Sequence, residues 1–109
     1  MNRFENGISF EQEEVFGKMQ MLKGSESVYE QRRNNYNRSE LVAHMYRMES
    51  EKKPKVEVLV YVHVKDKAGV VRCNKSVNYK LIDPRLYPVG ENRNNVGFAV
   101  FAKDIVEDK

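Results

Sequence analysis

The chain has 109 residues, 40% of them apolar and 32% charged, with a net charge of +3. That length and balance fit one globular domain over 1–109 with a modest core of its own. They leave out a membrane helix, which needs ~20 consecutive apolar residues, and the single cysteine, Cys73, leaves out an internal disulfide.

Residues 1–8 read as an irregular, flexible arm. Ser9 with Gln12 three residues on makes a capping box, and Glu11, Glu13 and Glu14 follow it, which predicts a helix start. Val15, Met19 and Leu22 then recur at helical spacing, and Gly24 supplies a stop. Residues 25–38, SESVYEQRRNNYNR, read as a short helix followed by an asparagine-rich loop. A further helix is expected over Glu40–Glu49, capped by Ser39, with Leu41, Met45 and Met48 on its stripe.

The sharpest pattern begins at Lys55. Val56, Val58, Val60, Val62 and Val64 fall on every second residue, the period of a strand with one buried face. Asp66-Lys67-Ala68-Gly69 suits a hairpin loop, and the return strand from Val70 to Leu81 would pair Val62 with Cys73 and Val58 with Val77. Pro84 and Pro88 mark a loop, Val96–Lys103 reads as a third strand, and 104–109 as a flexible tail. The expected class is α+β. Two to three N-terminal helices (9–50) would pack on one face of a three-stranded antiparallel meander (55–103).

Charge is uneven. Residues 51–80 hold eight basic and three acidic side chains, a net +5, while the rest of the chain is neutral or slightly acidic. A positive patch favours acidic protein surfaces or nucleic acid, and the same lysines also serve plain solubility. On the hairpin's outward face the expected binding residues are Tyr61, His63, Lys65, Arg72 and Lys80. The run Tyr29–Arg38 interleaves Arg32, Arg33, Tyr36 and Arg38, residue types that give contact area at low entropic cost. Arg93, in the second asparagine-rich loop, completes the set.

Catalysis has little support. His44, His63 and Cys73 are too few and too scattered for zinc, and no glycine-rich phosphate loop or nucleophile elbow is present. The expectation is a non-enzyme with no cofactor and no metal.

A small basic chain without catalytic residues resembles, in profile rather than motif, many phage and mobile-element accessory proteins, anti-defence inhibitors among them. The absence of a recognisable secretory signal and the lone cysteine lead us to expect a cytoplasmic protein. It would dock on a protein or nucleoprotein partner with an acidic surface and act by occlusion. Direct nucleic-acid binding through the basic hairpin is the alternative. A structural module that oligomerises through a strand edge is the third reading.

Overall fold

A computed structural model describes residues 8–31, 39–67, 69–87 and 98–108. Among the described residues the protein is mainly β. Eight strands form one curled sheet: β1 Ile8–Ser9, β2 Met19–Gln31, β3 Ser39–Ser50, β4 Glu57–His63, β5 Tyr79–Ile82, β6 Arg85–Tyr87, β7 Phe98–Ala102 and β8 Asp104–Glu107. The described residues contain one short helix, α1, Gln12–Val15. The strand order is β1-β6-β7-β4-β3-β2-β5-β8, antiparallel throughout except for β4 beside β7. The expected α+β class, helices on a three-stranded meander, is therefore overturned.

The helical stripes lost to a shorter period. In β2 the buried residues are Met19 and Met21, two apart, and Leu22 is 37% exposed, although helical spacing had placed it inward. In β3, His44, Tyr46, Met48 and Ser50 are all buried, again at every second position. An isolated helix of about ten residues is marginal, whereas these segments complete a ladder with each other, and β3 completes a second one with β4. Register shifts at three places in β2 bend and twist this long pair. The expected cap at Ser9 is absent too. The helix begins after Glu11 with no side-chain cap, and Gln12 is turned to another task.

The valine strand forms as read, with Val58, Val60 and Val62 buried. Its partners do not. β4 is flanked by β3 on one side and by β7, running parallel, on the other. Both edges are taken, so residues 70–78 cannot return alongside it as a hairpin strand. The chain turns at His63–Lys67 instead, where the Asp66 and Lys67 amides both donate to the His63 carbonyl. It then crosses to β5 on the far side of β2. The expected third strand is present as β7. The proline-bounded loop contains β6, and the expected tail contains β8, whose Ile105 is buried opposite Leu81 of β5.

One core lies on the concave side, built from Phe16, Met19, Met21, Tyr46, Met48, the β4 valines, Tyr79, Leu81, Val100 and Ile105. Phe10 and Val15 close it from the α1 side, and Phe10 meets Phe16 edge-on at 5.5 Å. Gly17, at φ +72°, turns the chain from α1 into β2 in a conformation that side chains disfavour.

Candidate functional site

The segment 70–78, which joins the β4 turn to β5, has no strand pairing, yet it is tied down at four consecutive residues. The Val71 amide donates to the Tyr46 hydroxyl at 2.9 Å. The Tyr79 hydroxyl donates to the Arg72 carbonyl at 2.8 Å and accepts from the Asn74 amide at 2.8 Å. Between them the Cys73 thiol lies 3.8 Å from the Met21 carbonyl. Tyr46 stands on β3, Met21 on β2 and Tyr79 on β5, so a strap crosses three neighbouring strands and is held to each.

The strap is two-sided. Val71, Cys73 and Val77 pack against the core, while Arg72, Asn74, Lys75 and Ser76 are exposed. The alternation expected for a hairpin strand is thus real in polarity but belongs to an irregular crossover. Among the described residues neither the Arg72 guanidinium nor the Lys75 or Lys65 ammonium has an acidic partner. Some cations elsewhere are paired: Arg47 with Glu26 (2.8 Å) and Glu57 (3.1 Å), Lys67 with Asp104 (3.1 Å), and Lys103 with Asp83 (3.5 Å). The two carboxylates hold the Arg47 guanidinium more firmly charged than usual, first through the hydrogen bond that Arg47 Nε donates to Glu26. Ser76 donates through both its amide and its hydroxyl to Asn74 Oδ1, which occupies that acceptor and leaves donors facing solvent.

The two tyrosine rings under the strap are buried, at 0% and 1% exposure. Burial pushes the Tyr46 hydroxyl above its ordinary pKa; the bond from Val71 and the nearby Lys67 oppose this less strongly.

The expected binding residues are dispersed. Tyr61 and His63 lie on the convex side of β4. There Met45, Tyr61, Phe101 and Arg85 stand in register across β3, β4, β7 and β6, and the Tyr61 and Phe101 rings lie 5.3 Å apart. His63 Nδ1 accepts from the Lys65 amide at 3.0 Å, and Lys65 is exposed in the turn that leads into the strap. Arg72 is on the strap. Lys80 is exposed on β5, three strands from Tyr61, roughly 14 Å at the usual strand spacing. The single basic hairpin face carrying Tyr61 is therefore not formed: Lys65 sits in the turn, Arg72 on the strap, and Lys80 on β5 between the buried Tyr79 and Leu81, facing away from the core. Arg32, Arg33, Tyr36, Arg38 and Arg93 lie outside the described residues.

Sequence reasoning missed Tyr46 and Tyr79 as supports and did not single out Lys75 as a binding residue. The available signal was that a buried tyrosine hydroxyl requires a polar partner. Among the described residues no three of His, Cys, Asp or Glu are grouped to hold a metal ion, and no helix is long and apolar enough to cross a membrane. His44 is 6% exposed, and its Nδ1 has no hydrogen-bond partner among the described residues.

These features define a small mainly-β protein, a curled sheet crossed by a cationic strap. The chain belongs to the family described as bacterial protein of unknown function, DUF961, which matches residues 6–106. No curated protein and no solved structure gives a significant match.

Proposed function

We propose that the protein is a non-enzymatic binding protein of the cytoplasm, which docks through the cationic strap on an acidic surface of a protein or nucleoprotein. It acts by occlusion, covering a surface that another ligand needs. One observation carries this reading: Arg72 and Lys75 are exposed and, among the described residues, without acidic partners, on a segment whose Val71, Cys73 and Val77 pack against the core. Charges held in place this way lose little freedom on binding, which is where much of the cost of association lies. Charge complementarity then speeds encounter and selects acidic partners. The accessory-protein profile of the sequence fits this reading.

The test is affinity capture from the native cell with wild-type chain and with Arg72→Glu/Lys75→Glu, each with and without nuclease. A partner retained by the wild type after nuclease and lost by the double variant is expected. A partner held equally by both chains would rule out the strap.

A second reading, direct binding of nucleic acid, draws on the donor-rich surface of the same strap. Arg72, Lys75 and the Asn74 carboxamide nitrogen offer donors to phosphate oxygens, while the Asn74 acceptor is occupied internally. Affinity would then fall steeply with salt through counterion release. A gel-shift titration at low and moderate salt decides it, and no shift at low salt removes this reading.

A further inference from the structure

We infer that Tyr46 and Tyr79 are positioning residues for the docking surface: their hydroxyls tie the strap to the sheet at residues 71, 72 and 74, and so hold Arg72 and the turn that carries Lys75 in a binding-ready arrangement. This rests on the docking function proposed above and goes further, by placing control of that surface in two buried side chains that no partner touches.

The strap is unpaired backbone. A strand in its place would be ordered by a ladder on one or both sides. Here the polar support comes chiefly from two phenols. Tyr79 is used in both directions, as donor to the Arg72 carbonyl and acceptor from the Asn74 amide, so a single oxygen brackets residues 72–74. Tyr46 fixes the residue before them through the Val71 amide. The cations are therefore one residue from a tether on either side: Arg72 follows Val71 and is itself bonded, and Lys75 follows Asn74. The thiol contact of Cys73 at 3.8 Å is long and weak beside these.

The rings and the hydroxyls have separable tasks. Each ring fills core volume at 1% exposure or less. Each hydroxyl meets only the strap. Phenylalanine keeps the ring and removes the tether, so a Tyr→Phe change should loosen the strap while the sheet stays folded. The strap's charge is unaltered. The consequence is specific: affinity for an anionic surface falls because the cations must be ordered on binding, while the number of charges engaged stays the same.

The experiment uses the full chain, a fluorescein-labelled heparin oligosaccharide as polyanionic probe, and amide hydrogen exchange read residue by residue. Tyr46→Phe and Tyr79→Phe are made singly, beside Arg72→Gln/Lys75→Gln. Exchange at Val71 should rise in Tyr46→Phe and at Asn74 in Tyr79→Phe, by roughly three- to tenfold, the usual net worth of one hydrogen bond. Amides of β4 should keep their protection, which shows that the sheet is intact even if one variant is less stable. Probe affinity should fall by a similar factor with the slope of log affinity against log salt unchanged. The double glutamine variant should lower that slope. If the glutamine variant weakens binding and neither Tyr→Phe variant does, the positioning role is overturned and the docking surface stands. If binding resists the loss of both cations, the docking surface is overturned and the positioning role falls with it. Unchanged exchange at Val71 and Asn74 overturns the positioning role whatever the affinities.

Discussion

Gln12 and Leu81 are joined as two strands would be: the Leu81 amide donates to Gln12 Oε1 at 2.8 Å, while Gln12 Nε2 donates to the Tyr79 carbonyl at 3.1 Å. One carboxamide thus supplies both halves of a ladder step beside β5, whose pairing with β2 is confined to Met19 and Tyr79. The same nitrogen also reaches the Gly17 carbonyl at 3.2 Å, which ties the turn after α1 to the sheet. Gln12→Ala should cost about 1–3 kcal/mol, because it leaves backbone groups of β5 unpartnered in a part-buried site. Gln12→Glu should cost at least as much, since a carboxylate cannot donate to the two carbonyls. Urea unfolding of both variants measures this.

Methionine scanning separates the strand from the helix that the sequence suggested. Met21→Ala should lose about 2–5 kcal/mol, the range for emptying a filled core site. Leu22→Ala should lose about 0.5 kcal/mol or less, as at ordinary surface positions, because Leu22 is 37% exposed. A helical β2 segment would reverse the order. Thermal or urea unfolding of the pair reads it directly.

Gly17→Ala should destabilise by about 1–2 kcal/mol, the usual penalty for a side chain in the left-handed region. The added Cβ would also come within 2.6 Å of Glu51 Oε1, an atom that now accepts from the Lys18 amide at 3.3 Å. The carboxylate can swing away, so the backbone conformation sets most of the cost. Chemical denaturation at neutral pH provides the measurement.

The Tyr46 hydroxyl has its pKa raised in the folded protein, chiefly by burial. The unfolded chain ionises it near pH 10, its ordinary value. Above that pH the unfolded state has lost the proton and the folded state keeps it, so stability falls as pH rises. Below that value this contribution is fully present. Urea midpoints should therefore drop on the alkaline side, and Tyr46→Phe should flatten the part of that drop due to this group.

Arg47 bridges β2 and β4 through Glu26 and Glu57, but all three side chains are at least a third exposed. Arg47→Met should cost little stability, and added salt should shrink even that. A double-mutant cycle with Glu26→Gln isolates the pair. A larger coupling would show that the bridge helps set the register of the bent hairpin.

The valine run and its buried face could be read from the chain, because a two-residue period is written into the order of side chains whatever lies beside them. The in-and-out pattern of Val71, Cys73 and Val77 against Arg72, Asn74 and Ser76 could also be read, and with it the fact that this stretch shows cations to solvent. The partners were not legible. Lys65 and Val70 flank a good hairpin loop, but β3 and β7 occupy both edges of β4, and the residues paired there are 8 to 40 positions apart in sequence. Likewise Met19 fits a helical stripe with Val15 and Leu22 or a strand face with Met21, and Met48 fits a helical stripe with Leu41 and Met45 or a strand face with Tyr46, and only the ladder between β2 and β3 decides between them. The cationic strap follows the same division. Its charge and polarity come from the local order of residues. Its path over β3, β2 and β5, and the two tyrosine hydroxyls that hold it, exist only once distant strands are packed, because backbone pairing is decided by which edges remain free.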